Sequence, residues 1–156
     1  MKHPYYIVLA DDHIRFRQAM RKILEEISGI KVVGEAGDRR ELFELLEQSR
    51  PEMVILDVSM ADLRGREGAQ LIKLRYPGMK ILIMVMDQAR EYLSYGLAAG
   101  ATGILPKQYV AGQIAGAIAA VRRGKIFLPP QTPEKSCPWT TASPATDPGQ
   151  SGVNNY

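Results

Sequence analysis

The segment PEMVILDVSM, residues 51–60, carries the pattern that decides the fold of this 156-residue chain. Met53–Leu56 is an unbroken apolar run that follows Pro51 and ends at Asp57. Such a run is too short for a buried helix and predicts a strand covered on both faces, as in a parallel sheet. A lone acid directly behind that strand predicts a reactive group at the carboxyl edge of the sheet.

Working outward, short apolar runs of the same kind recur along the first 128 residues. They predict four further strands, at Tyr6–Ala10, Lys31–Ala36, Lys80–Met86 and Thr102–Leu105. Apolar residues with helical spacing lie between the runs, and Asp38 with Glu41 resembles a capping box. Strands that alternate with helices imply right-handed crossovers, so we predict an α/β fold: a (βα)5 three-layer sandwich with a parallel five-stranded sheet.

The composition excludes several other classes of protein and of site. One cysteine excludes an intramolecular disulfide framework and a multi-cysteine zinc site. No apolar run approaches the roughly 18 residues of a membrane span, so we predict a cytoplasmic protein without membrane contact. Twenty Lys and Arg against 17 Asp and Glu give a net charge of +3, which is not the footprint of a nucleic-acid binder.

The prolines divide the chain in two. Six of the ten fall near its end, at Pro129, Pro130, Pro133, Pro138, Pro144 and Pro148. Ser, Thr, Gly and Asn dominate that region, which cannot bury enough apolar surface to offset its ordering entropy. We predict a folded domain over residues 1–128 and a disordered Pro/Ser/Thr-rich tail or linker over residues 129–156.

Polar residues stand directly behind the predicted strands. Asp11 and Asp12 follow the first, Asp57 follows the third and Lys107 follows the fifth. The carboxyl ends of parallel strands meet at one edge of the sheet, so these groups converge there. Carboxylates at such short distances repel one another unless a cation lies between them. Mg²⁺, or Mn²⁺, is the hard ion that such oxygen ligands favour. His13 is interpreted as a surface or capping residue.

A metal-bound carboxylate that faces an ammonium suits phosphoryl chemistry. Asp57 can attack phosphorus to give an acyl phosphate, with Lys107 offsetting charge on the transferring group. The plainer alternative is an acidic pair that caps a helix, one solvated acid and one surface lysine. The joint placement of all four groups at strand ends favours the phosphoryl interpretation.

These features resemble the receiver domain of two-component response regulators over about residues 5–128. The resemblance rests on Asp11-Asp12, the segment 54–60, Gly65, Ala99-Gly100-Ala101 and Lys107. The segments LADDH at 9–13 and VGEA at 33–36 bring it closest to the receivers that precede a LuxR-type (NarL/FixJ) DNA-binding domain.

The resemblance implies a flavodoxin-like strand order of 2-1-3-4-5 and a signalling domain rather than an enzyme. Asp57 corresponds to the phosphoacceptor, and a sensor histidine kinase would be the phosphodonor. A magnesium site is implied at Asp11, Asp12, Asp57 and the backbone carbonyl of Ser59. Lys107 would contact the phosphoryl group.

Two positions depart from the family pattern. Val85 stands where receivers carry Ser or Thr, and Ile104 where they usually carry Tyr or Phe. A hydrogen bond from a hydroxyl to a charged phosphoryl oxygen, worth about 1.5–3 kcal/mol, is therefore missing. Asp87, two residues beyond Val85, is interpreted either as a modulator of dephosphorylation or as a solvated loop acid.

Three functions remain open at this point. The first is a phosphorylatable receiver with altered switch contacts, and the second is a degenerate receiver that acts as a phosphate-independent interaction module. The third is a haloacid-dehalogenase-like phosphohydrolase, which also uses a strand-end Asp and magnesium. That class normally has a second Asp two residues on as acid/base, and here the position is Ser59.

Partner surfaces are suggested on the first and last helices. Arg15, Arg17, Arg21 and Lys22 form either a kinase-docking face or a solvated helix face. Small residues in the last helix permit close packing in the core or against a second subunit, and receivers dimerise through their last two helices. The proline-rich end has neither helical period nor basic recognition segment, so we predict no output domain and no direct DNA binding.

Overall fold

A computed structural model describes residues 3–63, 65–86 and 100–128. Its strands are β1 (Tyr5–Ala10), β2 (Ile30–Ala36), β3 (Met53–Asp57), β4 (Lys80–Val85) and β5 (Gly103–Pro106). Its helices are α1 (Ile14–Glu25), α2 (Arg39–Ser49), α3 (Gly65–Arg75) and α4 (Val110–Arg122), the last preceded by a 3₁₀ turn at Lys107–Tyr109. The helix predicted before Gly100 and the tail at 129–156 lie outside the described residues.

The five strands form one parallel sheet in the order β2-β1-β3-β4-β5, which confirms the predicted fold. The register places the strand ends side by side. Ala10 is paired with Leu56, so Asp11 and Asp57 leave neighbouring strands at the same level. Val85 is paired with Pro106, so Lys107 comes one residue after the last pair between β4 and β5.

Each face of the sheet is covered by helices, as the three-layer prediction requires. Val54 and Leu56 on one face pack in a cluster with the buried leucines of α2 and with Ile72 of α3. Ile7, Leu9 and Ile55 on the other face pack with residues of α1 and α4. Burial of each large aliphatic side chain contributes about 1.5–3 kcal/mol, and this packing holds the polar edge in place.

The start of α2 confirms one of the two hydrogen bonds of the predicted capping box. Asp38 is the N-cap and accepts the backbone N–H of Glu41 at 2.8 Å, as predicted. The carboxylate of Glu41, however, accepts the N–H of Gly37 at 2.7 Å rather than that of Asp38. A Cβ at Gly37 would stand 2.9 Å from Nη1 of Arg17, so a side chain there would displace the end of that arginine.

The segment after α4 returns to the sheet. Gly124, two residues after the end of α4, takes a φ of +82°, and Phe127 then forms a parallel bridge with Gly103. The backbone N–H of Ile104 donates to the carbonyl of Phe127 at 3.0 Å, and the N–H of Phe127 donates to the carbonyl of Thr102 at 3.0 Å. This bridge lies just inside the predicted boundary at residue 128. None of the helices in the described part of the chain is long and apolar enough to cross a membrane.

Candidate functional site

Two carboxylates lie buried where β1 and β3 end. Asp11 is 1% exposed and Asp57 is fully buried, although a charged side chain rarely loses water contact without partners. The apolar residues before each of them hold the two strands in register, and the acids are carried into the interior by that pairing. Their charge must therefore be compensated within the site.

Lys107 supplies compensating charge. Its Nζ lies 2.9 Å from Oδ2 of Asp11 and 3.3 Å from Oδ2 of Asp57, and its side chain is 8% exposed. The same Nζ stands 4.3 Å above the ring of Phe16 on α1. The face of an aromatic ring attracts a cation, so Phe16 adds a favourable contact to the ammonium. The structure thus brings together Asp11, Asp57 and Lys107 as the sequence predicted.

Ser59 fixes the orientation of the Asp57 carboxylate. Its backbone N–H donates to Oδ1 of Asp57 at 3.0 Å. Its hydroxyl Oγ lies 3.0 Å from Oδ1 and 3.1 Å from Oδ2 of the same group. The sequence prediction used only the carbonyl of Ser59 and missed this hydroxyl. Nothing in the residue pattern signals it, because the contact depends on how the loop after β3 turns.

His13 belongs to the same cluster. Its Nδ1 lies 3.1 Å from Oδ1 of Asp11, 3.3 Å from Oδ1 of Asp12 and 3.7 Å from Oδ2 of Asp57. The residue is the N-cap of α1, but its imidazole makes no capping hydrogen bond. Its side chain is 59% exposed. The interpretation of His13 as a surface or capping residue was therefore incomplete, since the ring faces all three acids.

The cluster has the donor chemistry of a divalent-cation site. One ligand atom from each of Asp11, Asp12, His13 and Asp57 lies within 4.8 Å of the others. Oδ2 of Asp11 is buried, and the Lys107 ammonium 2.9 Å away is the positive charge beside it. Carboxylate oxygens of this arrangement suit Mg²⁺, and the residues present fit the ion that the resemblance implies.

An arginine pair supports the loop that carries Asp11. Arg17 donates from Nη1 to the carbonyl of Asp11 at 2.5 Å and from Nε to Glu35 at 2.9 Å. Arg21 donates to the second oxygen of Glu35 at 2.7 Å and to Glu25 at 3.0 Å. Burial raises the pKa of Glu35, but the hydrogen bonds from Arg21 and Arg17 outweigh it and leave that pKa below its usual value. The hydrogen bonds from Glu35 and Glu25 raise the pKa of Arg21.

The predicted basic face on α1 is thus divided. Arg17 and Arg21 are engaged with acids of this chain, whereas Arg15 and Lys22 are exposed. The sequence could not assign Glu35 to the arginines, because the three residues come together only when β2 pairs with β1 beneath α1. Any docking surface on α1 therefore rests on Arg15 and Lys22.

The two switch positions are packed in the core. Val85 is 2% exposed at the end of β4, and Ile104 is fully buried in β5. Both belong to the apolar cluster that also contains Leu56 and Met60 on either side of Asp57. Asp87 lies outside the described residues.

Residues 7–119 match the model of the response regulator receiver domain. The chain belongs to this family. The receiver is a signalling domain rather than a class of enzymes, so the match disfavours the phosphohydrolase alternative. The recognition made from the strand-end motifs is confirmed, and solved receivers of LuxR-family and NarL regulators also match the chain.

Three relatives show the extent of the similarity. The transcriptional regulatory protein DegU of Brevibacillus brevis is 30% identical over 80% of this chain and 53% of its own length. The isolated receiver of RcsB from Salmonella enterica serovar Typhimurium, solved with the phosphomimetic BeF₃⁻, is 31% identical with a TM-score of 0.75, over 81% of this chain and 94% of that one. A structure of two RcsB dimers bound to two parallel DNAs matches at 31% identity and a TM-score of 0.76, over 81% of this chain and 65% of that one. The chain spans about half the length of the curated relatives it matches.

Proposed function

We propose that this receiver accepts a phosphoryl group on Asp57 from a sensor histidine kinase in the cytoplasm, with a divalent cation, Mg²⁺ or Mn²⁺, as cofactor. The observation that carries the proposal is the buried Asp57 carboxylate, 3.3 Å from the Lys107 ammonium and in one cluster with Asp11. A phosphomimetic was used with the related RcsB receiver, which supports the same chemistry here.

The residues divide the work of the transfer. Asp57 is the nucleophile: a carboxylate oxygen forms a bond to phosphorus as the bond from phosphorus to the kinase imidazole breaks, and that electron pair returns to the nitrogen. Ser59 holds the carboxylate in orientation through Oδ1. Lys107 places its ammonium beside Oδ2, where it offsets the charge on a phosphoryl oxygen.

The metal site is proposed on Asp11, Asp12, Asp57 and the backbone carbonyl of Ser59. A bound Mg²⁺ supplies positive charge that offsets the repulsion between the carboxylate and the phosphoryl oxygens. Within the chain, Asp12 is tied to the loop after β3 because its Oδ2 accepts the N–H of Ala61 at 3.3 Å. This bond keeps the acidic pair and the phosphoacceptor loop together.

The test is chemical phosphorylation followed by intact mass. The full chain is incubated with Mg²⁺ and acetyl phosphate, beside the variants Asp57→Asn and Asp62→Asn. Asp62 is the matched control, because it is exposed and its carboxylate accepts the N–H of Arg39 at the start of α2. We expect one phosphoryl adduct on the wild type and on Asp62→Asn and none on Asp57→Asn. An adduct that persists in Asp57→Asn, or no adduct even with a cognate kinase, would falsify the proposal.

A second candidate is a receiver that acts as a phosphate-independent interaction module. Val85 and Ile104 favour it, because a buried valine and a buried isoleucine offer the phosphoryl group neither a hydroxyl nor a mobile aromatic ring. In that case partner binding is the same for wild type and Asp57→Asn. The phosphoacceptor is favoured over this candidate because the complete acid and lysine set is assembled.

Dimerisation is proposed by analogy with the RcsB dimers. The last two helices are the predicted contact, but residues 87–99, where the sequence predicts the first of them, lie outside the described residues. On α4, four small residues are exposed rather than packed in the core: Ala111, Gly112, Ala115 and Gly116. Their exposure leaves that side of α4 open to a second copy.

A further inference from the structure

His13 is the member of the acidic cluster that the proposed function leaves unused. Its Nδ1 lies 3.1 Å from Asp11, 3.3 Å from Asp12 and 3.7 Å from Asp57, each measured to a carboxylate oxygen. These are the three side chains proposed to hold the cation. The imidazole nitrogen therefore points at the place where the three carboxylates converge.

The spacing of these atoms matches a coordination shell. Neighbouring ligands of an octahedral ion at about 2.1 Å from the metal lie about 3.0 Å apart, and opposite ligands about 4.2 Å apart. The distances from Nδ1 to Asp11 and Asp12 are close to the first value, and the four donor atoms lie within 4.8 Å of one another, a limit slightly wider than the second value. Nδ1 and Oδ1 of Asp11 also form a hydrogen bond at 3.1 Å, which a bound ion would replace. Oδ2 of Asp11 is buried beside this group, 2.9 Å from Nζ of Lys107.

Building on the proposed function, we propose that His13 is a fourth protein ligand of the divalent cation and sets which ion the site prefers. An imidazole nitrogen is a poor exchange for water on Mg²⁺ but a favoured ligand of Co²⁺, Ni²⁺ and Zn²⁺. The site then combines carboxylates that accept Mg²⁺ with a nitrogen ligand that strengthens the binding of Co²⁺, Ni²⁺ and Zn²⁺. His13 thereby makes this receiver responsive to the identity of the available metal.

The local fold keeps the ring in reach of the ion. His13 is the N-cap of α1, and its backbone N–H donates to Oδ1 of Asp11 at 2.8 Å. Arg17, one turn further along α1, donates to the Asp11 carbonyl at 2.5 Å. These two bonds fix the backbone at Asp11 and at His13, so Nδ1 is held beside the three carboxylates.

The test compares metal affinities rather than phosphorylation. Titration calorimetry measures binding of Mg²⁺, Co²⁺ and Ni²⁺ to the full chain and to His13→Ala, all in a Cys137→Ser background so that the thiolate does not compete. The matched control is His3→Ala, because His3 is the other histidine of the chain and lies in β1's exposed lead-in, 3.8 Å from Glu52. The Co²⁺ absorption spectrum reports whether a nitrogen ligand is present.

We expect His13→Ala to weaken Co²⁺ and Ni²⁺ binding by about tenfold or more while Mg²⁺ affinity changes by about twofold or less. The Co²⁺ spectrum should shift in His13→Ala and stay unchanged in His3→Ala. A Co²⁺ to Mg²⁺ affinity ratio that His13→Ala leaves unaltered overturns the proposal. So does tighter binding of every ion, which would make His13 a competing cation. Either result leaves Asp57 phosphorylation standing, whereas loss of the adduct in the mass experiment leaves the metal ratio standing.

Discussion

The carboxyl edge of the sheet has two neighbouring regions of opposite character. Around Asp57, ionisable groups converge: Nζ of Lys107 lies 3.3 Å and Nδ1 of His13 lies 3.7 Å from its Oδ2, and both also lie within 3.1 Å of the Asp11 carboxylate. Beside it, the end of β4 and the middle of β5 present only Val85 and Ile104, both packed into the apolar core. The two regions differ in chemistry: the residues proposed to take up a phosphoryl group are together at this edge, whereas the two switch positions beside them carry aliphatic side chains.

The largest expected effect is a loss of stability when Lys107 is removed from the charged region. Lys107→Gln leaves Asp11 and Asp57 buried without the ammonium, and stripping one partner from a buried ion pair costs about 3–5 kcal/mol. We expect the free energy of unfolding in urea with EDTA to fall by that order. Added Mg²⁺ should restore part of the loss, because it replaces the missing charge.

Lys125→Gln is the control for that measurement, because Lys125 is exposed after α4. Its free energy of unfolding should stay within about 0.5 kcal/mol of the wild type. Equal stability of Lys107→Gln and Lys125→Gln would show that the buried acids are not held by the lysine. The contrast between the charged and apolar regions would then lose its physical basis.

The sequence predicted the first region well because its signals are local. An apolar run that stops at an acid fixes both the strand and the position of Asp57, and parallel pairing does the rest. The Ser59 hydroxyl and the His13 ring were not predicted, since a loop's turn decides where they point. Glu35 was missed for a different reason. Its partners Arg17 and Arg21 lie on another element, and no spacing rule links a strand residue to a preceding helix.

The apolar region can be tested by giving back a hydroxyl. Val85→Thr adds a donor at the end of β4, and a hydrogen bond to a charged phosphoryl oxygen is worth about 1.5–3 kcal/mol. We expect the ratio of phosphorylated to unphosphorylated protein at fixed acetyl phosphate to rise about tenfold. The unphosphorylated protein should lose about 1–2 kcal/mol of stability, because the hydroxyl enters an apolar core.

Val54→Thr separates the two effects. Val54 is buried near the start of β3, three residues before Asp57, so a threonine there carries the cost of a buried hydroxyl without reaching the phosphoryl group. Intact mass and urea unfolding are measured on both variants. If Val85→Thr and Val54→Thr gave the same phosphorylated fraction, the missing hydroxyl would not be what distinguishes this receiver.

The smallest effect concerns the outer support of the charged region. Glu35 has a lowered pKa, so its contribution to stability is present above its usual value near 4.3 and is lost as the pH falls through the lower folded value. Glu35→Gln should cost about 0.5–1 kcal/mol at neutral pH, a modest figure because the pair with Arg17 is still partly in contact with water. The difference in the free energy of unfolding between Glu35→Gln and wild type should then disappear in acid.

Glu44→Gln, which breaks the exposed pair with Arg40, is the control and should show neither the loss of stability nor its dependence on pH. A gap that stayed constant from neutral pH into acid would mean that Glu35 acts through packing. The charged region would then be held by Lys107, by the sheet and by the bond from Arg17 to the Asp11 carbonyl, without a contribution from the charge of Glu35.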